Sequence, residues 1–157
     1  MASERIRNLQ RKLARNRNLV ERSFAGIGDG GWSRTVYETP RTWTVRDVLA
    51  HLVSAEQVLC GLAENIAAGG KGAPDGFDYN EFNRTEQDAY RSYAPQELLG
   101  MFRTARNRTV EWTGGLQAEQ LDRKGNHPAW GELSVEGVLT AIHGHTLMHI
   151  KELKQSL

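Results

Sequence analysis

Two histidines near the end of the sequence have a spacing that suits a metal ion. His145 and His149 stand four residues apart inside an apolar repeat that predicts a helix. Residues four apart lie one above the other on the same helix face, so both imidazoles could hold a single ion. A third histidine, His51, lies in a second segment of apolar helical periodicity. Three neutral imidazoles around one open coordination position are typical of a catalytic zinc site or a related one.

A core-packing interpretation of these histidines stays open. A single histidine on an apolar face is more often a core residue than a ligand. A pair at this spacing also occurs on surface helices. Two buried histidines without a shared partner would leave ring nitrogens unsatisfied, each at a cost of about 1–3 kcal/mol. Because a common cation removes that cost, we predict a metal centre made by His51, His145 and His149.

Four other polar residues are weaker candidates for this site. His143 lies about 200° around a regular helix from His145, so it cannot face the same ion. His127, in a predicted loop before the last helix, could reach the mouth of the site as a ligand or an acid–base group. Glu56 could orient a ligand, but we interpret it as a partly exposed charge at a helix edge. Asn83 is weaker still.

Length and composition indicate a globular protein. The sequence has 157 residues, of which 39% are hydrophobic and 25% charged, and we expect one domain over residues 1–157. A core of this size folds without metal or disulfides, so a bound ion would be free to serve function. The single cysteine, Cys60, suits a reducing compartment, and we interpret it as a small core residue.

Charge and hydropathy limit the partners. No stretch has the apolar length of a signal sequence or a membrane span, and we expect a cytoplasmic protein with no membrane partner. The formal net charge is +1, which argues against a nucleic-acid partner and leaves a DNA-associated factor as a weak alternative. Basic residues crowd segment 5–22. We interpret them as a solvated helix face or as half of an internal or subunit-to-subunit charge match.

The apolar pattern predicts four long helices. They extend over about residues 3–25, 44–68 and 95–114 and from Ser134 toward the C-terminus, with Thr44 and Ser134 as N-caps. A partly aromatic piece between Asp78 and Arg91 predicts a short extra helix at an edge or lid. Stretch 32–43 predicts a loop with its tryptophans packed on the helices, and stretch 124–131 predicts a loop or tight turn. Because strand alternation and internal repeats are absent, we predict an all-α four-helix bundle with one or two long loops.

Three parts of the sequence carry a family resemblance. One is Trp43–Leu52, near the start of the second predicted helix. A second begins at Leu133 and continues through both C-terminal histidines to Ile150, and a third comprises Phe82–Asn83 and Pro95–Arg106. In content and order they resemble the DinB/YfiT-like superfamily of metal-dependent four-helix bundles, over nearly the whole chain.

This resemblance implies more than a fold. It implies one long crossover connection, frequent homodimers, and His51, His145 and His149 as ligands of a divalent ion such as zinc or nickel. Characterised relatives resemble thiol-dependent transferases and isomerases that use mycothiol, bacillithiol or glutathione. We therefore expect a thiol-dependent S-transferase that acts on an electrophilic small molecule, because a divalent ion lowers the pKa of a coordinated thiol.

Two other functions stay open for the same site. A metal-dependent hydrolase is one, since such an ion can also produce hydroxide near neutral pH. A non-catalytic protein that binds a metal or sequesters a ligand under stress is the other. The sequence does not distinguish them.

Overall fold

Four long helices form a bundle in the computed structural model, which describes residues 2–157. Each of the four packs against two neighbours, so that α1 and α2 lie diagonally opposite, as do α4 and α5. A shorter helix, α3, packs on α2. The predicted four-helix bundle and the short extra helix are therefore confirmed. The helices are α1 (Glu4–Ala25), α2 (Val45–Ala67), α3 (Tyr79–Ala89), α4 (Pro95–Gly114) and α5 (Val135–Ser156).

Side-chain caps determine where α2 and α5 begin. The Thr44 hydroxyl accepts a hydrogen bond from the Asp47 amide, and the Asp47 carboxylate accepts one from the Thr44 amide. The Ser134 hydroxyl accepts from the Gly137 amide in the same manner. Such caps satisfy amides that would otherwise lack a partner in the first helical turn. They place His51 in the second turn of α2, as the predicted caps require.

Two short β-hairpins occupy the stretches predicted as a loop and as a loop or tight turn, and their strands were not predicted. β1 (Thr35–Tyr37) pairs antiparallel with β2 (Trp43–Thr44), and β3 (Lys124–His127) with β4 (Gly131–Ser134). Strands of two to four residues are too short to show a clear period of two. β2 runs directly into α2 and β4 directly into α5, so the hairpins brace the helices that carry the three histidines.

Apolar side chains fill the bundle in two separate clusters. The first packs the start of α2 against the end of α5, and the second packs the end of α2 against the start of α5. Cys60 is buried, as predicted. No helix among residues 2–157 combines the length and the apolar character that crossing a bilayer requires. Large members of the first cluster are Phe24, Leu49, Leu52, Leu98, Phe102 and Ile150, and large members of the second are Ile6, Leu13, Ile66, Leu121, Leu139 and Ile142.

A polar layer around Arg106 separates the two apolar clusters. Arg106 is fully buried, and its Nε and Nη2 atoms donate to the two carboxylate oxygens of Glu56 at 2.7 and 2.8 Å. Nη1 donates to the Leu13 carbonyl at 3.0 Å and to Asn16 Oδ1 at 2.7 Å, and Nη2 also reaches Thr146 Oγ1 at 3.2 Å. Our interpretation of Glu56 as a partly exposed edge charge was wrong, because its side chain is paired with Arg106 and only 2% exposed.

Candidate metal centre

The structure brings His51, His145 and His149 together. His51 Nε2 lies 3.0 Å from His145 Nε2, and His149 Nε2 lies 3.1 Å from the same atom. His51 comes from α2, and the other two histidines come from successive turns of one face of α5. The four-residue spacing in the sequence thus produces the convergence that it predicts.

The Nε2 separations fit a common ion. Two nitrogens bound to one tetrahedral zinc ion at 2.0–2.1 Å stand about 3.3 Å apart, slightly more than the distances observed here. A hydrogen on His145 Nε2 cannot point well at both neighbouring rings at once. A single lone pair on that atom cannot accept well from both rings either. At least one of the two contacts is therefore not a good hydrogen bond. A cation between the three rings removes this conflict.

Burial keeps the three imidazoles neutral, which is the form that binds a metal. Desolvation lowers the pKa of His145 to about 4 and the pKa of His149 to about 3. Desolvation and the two neighbouring rings lower the pKa of His51 well below its usual value. Near neutral pH all three rings therefore offer lone pairs.

Tyr37 on β1 fixes the orientation of the His149 ring. Its hydroxyl donates to the Glu152 carboxylate and lies 2.8 Å from His149 Nδ1. Because the hydroxyl hydrogen goes to the carboxylate, the hydroxyl oxygen accepts a hydrogen bond from Nδ1–H of His149. Nε2 of the same ring therefore carries no hydrogen, and its lone pair faces the cluster. Burial and Glu152 raise the pKa of Tyr37, so the phenol keeps its hydrogen. Contacts of this kind orient metal-binding histidines and raise their affinity.

Trp43 on β2 covers one side of the cluster. The Trp43 ring lies 4.8 Å from the His51 ring and 6.5 Å from the His149 ring, centroid to centroid. The Tyr37 ring stands edge-on to His149 at 5.9 Å. The first hairpin therefore shields the histidines, as expected for tryptophans packed on the bundle.

On another side the cluster opens into a cavity of about 700 Å³. All three histidines line this cavity, and most of the remaining wall is apolar or aromatic. The wall comes from α2, the segment before α3, α3 itself and the turn of the second hairpin. Its side chains include Val58, Leu62, Phe77, Tyr79, Phe82 and Trp130.

The weaker candidates separate clearly in the structure. His127 lines the cavity from β3, and Asn83 lines it from α3, so both reach the mouth of the site without joining the cluster. His143 lies outside both the cluster and the cavity wall, as its helical angle predicts. Glu56 belongs to the polar layer instead.

The comparison with family models identifies the chain. The model of the DinB superfamily matches residues 8–153. The chain belongs to the DinB superfamily. No match was found among curated protein sequences. Membership of this superfamily does not specify a substrate.

Solved structures support the fold. YfiT from Bacillus subtilis, described as a probable metal-dependent hydrolase with an unusual four-helix bundle topology, is 17% identical with a TM-score of 0.80, covering 99% of this chain and 87% of YfiT. The mycothiol-dependent maleylpyruvate isomerase is 12% identical with a TM-score of 0.79, covering 94% of this chain but only 60% of the isomerase. The colibactin self-resistance protein ClbS, solved with double-stranded DNA, is 15% identical with a TM-score of 0.67, covering 97% and 96%.

Sequence reasoning missed Tyr37 and Glu152 as partners of the cluster. Glu152 follows His149 by three residues, so it lies near the same helix face and could have been found from that spacing. Tyr37 had no such signal, because it lies in a stretch without helical period that the prediction treated as a loop. Only the tertiary structure brings it to His149.

Proposed function

We propose that this protein is a metal-dependent enzyme, a thiol-dependent S-transferase that acts on an electrophilic small molecule. The observation that carries the proposal is the set of three converging Nε2 atoms, buried in the bundle yet open to an apolar cavity of about 700 Å³. Three protein ligands leave a position for a cosubstrate, whereas structural zinc sites take four.

The donor set suits zinc or nickel, for which imidazole is a common ligand. His51, His145 and His149 would hold the ion. When bound, such an ion lowers the pKa of a coordinated thiol and keeps it as the nucleophilic thiolate. Tyr37 and Glu152 hold the His149 ring in the required orientation, and Trp43 excludes water from one side of the cluster.

Over residues 2–157 the cavity wall holds no acidic side chain that would assist hydrolysis. Among the described residues that line it there is no aspartate, glutamate or lysine, so no carboxylate stands ready there as a general base for a water molecule. In the proposed substitution a carbon–sulfur bond forms and the bond between that carbon and its leaving group breaks, with the electron pair of that bond going to the leaving group. The proton that the thiol lost when the thiolate formed is released to solvent.

The relatives support both the leading proposal and its alternative. The isomerase uses mycothiol, and YfiT is described as a probable metal-dependent hydrolase. Nucleic-acid binding is not part of the proposal, because the net charge of the chain is +1 and the proposed site is an apolar cavity.

Elemental analysis tests the metal centre first. The protein is purified without a histidine tag, incubated with zinc or nickel, freed of unbound ion and compared with His145→Ala. We expect roughly one ion per chain in the wild type and a loss of at least about tenfold in affinity in the variant. His143→Ala is a matched control on the same helix, outside the cluster, and is expected to keep the ion. Equal binding by all three proteins would contradict the site.

The reaction is tested with the loaded protein and a chromogenic electrophile, 1-chloro-2,4-dinitrobenzene, in the presence of mycothiol, bacillithiol or glutathione. Formation of the aryl thioether above the uncatalysed rate, lost in His145→Ala, is expected. Release of dinitrophenol without thiol would replace the proposal with a hydrolase. Tight stoichiometric binding of metal without either product would indicate a sequestration protein.

A further inference from the structure

His127 is a buried histidine of the cavity wall that the metal centre does not use. It ends β3 and is only 6% exposed. Its ring stacks on Trp130, with centroids 4.8 Å apart and planes inclined by 11°. The side chain is therefore held in one orientation against the turn of the second hairpin.

The backbone of that turn determines which His127 nitrogen carries the hydrogen. Nδ1 accepts hydrogen bonds from the amides of Ala129 at 3.1 Å and Trp130 at 3.3 Å. Because Nδ1 is an acceptor, the hydrogen of the neutral ring is on Nε2. Burial lowers the pKa of His127, which keeps the ring neutral near pH 7.

Nε2 of His127 is then a fixed donor that lacks a partner. It makes no hydrogen bond to any residue from 2 to 157, and it is not among the side-chain atoms sealed from solvent without a partner. His127 lines the same cavity as the three clustered histidines. A donor held in one orientation and open to the cavity suits an oxygen of a ligand.

The rim of the cavity indicates what the rest of that ligand is. Three of the large apolar side chains that remain exposed, Val58, Tyr79 and Trp130, all line this cavity. Trp130 is 61% exposed although it is one of the largest apolar residues of the chain. Exposed apolar surface collected at the mouth of one cavity is typical of a binding site for an apolar compound.

We propose that the cavity takes an aryl or alkyl compound with one acceptor oxygen, and that the Nε2–H group of His127 donates a hydrogen bond to that oxygen. This inference rests on the proposed function in one respect, since it names the substrate class of that reaction. The hydrogen bond itself requires no metal. His127 would then orient the electrophile in the cavity beside the three-histidine cluster.

The test uses two probes that share an apolar body. One is 2-acetylnaphthalene, which has a carbonyl oxygen, and the other is 2-isopropylnaphthalene, which has none. Binding of each to metal-free protein in a chelator is followed by calorimetry or by quenching of tryptophan fluorescence. The quantity of interest is the ratio of the two affinities, compared between variants, because changes in stability or cavity shape affect both probes.

Two substitutions of His127 separate the hydrogen bond from packing. His127→Phe keeps an aromatic ring beside Trp130 but removes the donor, and it should lower the ketone-to-hydrocarbon affinity ratio about threefold to tenfold. His127→Gln places an amide N–H near the position of Nε2 and should recover most of the ratio. An unchanged ratio in His127→Phe, or an equal loss in both variants, would overturn the proposal.

A spectroscopic measurement needs no variant. Nitrogen-15 shifts of the His127 ring in the metal-free wild type should show the tautomer with hydrogen on Nε2, and hydrogen on Nδ1 would overturn the proposal. Neither experiment contains metal or thiol. A failure of metal binding or of S-transfer can therefore be distinguished from a failure of the His127 hydrogen bond.

Discussion

The polar layer around Arg106, which links α4 to the other three long helices, and the three-histidine cluster, which links α2 to α5, both lie inside the bundle, yet their hydrogen bonding differs. In the polar layer, Arg106 donates to Glu56, Asn16, Thr146 and the Leu13 carbonyl, so the buried charges meet partners. In the cluster, three Nε2 atoms face one another without enough hydrogens to satisfy the contacts.

This difference separates a buried polar group that is complete within the chain from one that supports our proposal of a bound ion. A buried network that satisfies its own donors and acceptors holds helices in register and needs nothing from solution. A group of buried lone pairs that converge on one point is incomplete within the chain. Burial by itself does not separate the two, since Arg106 is more buried than any of the three histidines.

Breaking the pair in the polar layer should have the largest effect on stability. Arg106→Met leaves the Glu56 carboxylate buried without a cation, and we expect the free energy of unfolding of metal-free protein to fall by about 3–5 kcal/mol. Urea unfolding followed by circular dichroism measures the loss.

The double variant Arg106→Met with Glu56→Met is the matched control. Replacing a whole buried ion pair by apolar groups is often close to neutral, so the double variant should recover most of the lost stability. Arg108, which pairs with Glu64 at the surface, provides a second comparison, because Arg108→Met should cost less than about 1 kcal/mol. If Arg106→Met lowered the free energy of unfolding by less than about 1 kcal/mol, a structural role for the polar layer would be contradicted.

The cluster should make the metal-free protein sensitive to acid. His145 and His149 have folded-state pKa values of about 4 and about 3, below the usual 6.5 of an unfolded chain. At pH values between the folded and unfolded pKa, the unfolded state binds more protons than the folded state. The free energy of unfolding is therefore highest above pH 6.5 and falls as the pH decreases. At pH 5 each of these two rings should lower the free energy of unfolding by about 2 kcal/mol relative to pH 7.

Thermal unfolding of the metal-free protein between pH 7 and pH 5 measures this effect. His145→Leu removes one of the titrating rings, so its melting temperature should fall less over the same range. Equal pH dependence in the two proteins would show that the cluster histidines titrate as they do in the unfolded chain.

Removing the support of His149 should weaken metal binding without abolishing it. Tyr37→Phe deletes the hydroxyl that accepts from His149 Nδ1, and losses of this kind typically reduce metal affinity tenfold to a hundredfold, about 1.4–2.7 kcal/mol. Competition with a chelating dye measures the zinc affinity of wild type and variant.

Tyr90→Phe is the control for this change. The Tyr90 hydroxyl donates to Gln57 and makes no contact with the cluster, so its loss should leave zinc affinity unchanged. Equal affinities of wild type and Tyr37→Phe would show that the Tyr37 contact does not support the site.

The sequence predicted the parts of the molecule that depend on local pattern. Apolar residues at three- and four-residue steps located α1, α2, α4 and α5, and Thr44 and Ser134 located two helix starts, because caps and stripes are properties of neighbouring residues. The convergence of His145 and His149 was predictable for the same reason. His51 was predicted from its place in a second apolar-periodic segment, and the family resemblance added to that prediction. Its meeting with the other two depends on the packing of α2 against α5.

The missed features depend on tertiary pairing. Charged residues are rarely buried unless they are paired, and neither Glu56 nor Arg106 shows its partner, 50 residues away along the chain, in its local sequence. The short strands were missed because β2 has only two residues. Tyr37 reaches His149 only because the first hairpin folds over the cluster.

Thr146 provides the smallest and most local test of the difference between the two regions. It follows His145 directly in the sequence, but its hydroxyl accepts from Arg106 and donates to the Ile142 carbonyl, so it belongs to the polar layer. Thr146→Val keeps the shape and removes these contacts, and we expect a loss of about 1 kcal/mol in urea unfolding. Zinc affinity should stay within about twofold of wild type if the two regions act independently. A parallel loss of affinity would instead show that the polar layer positions the His145 ring.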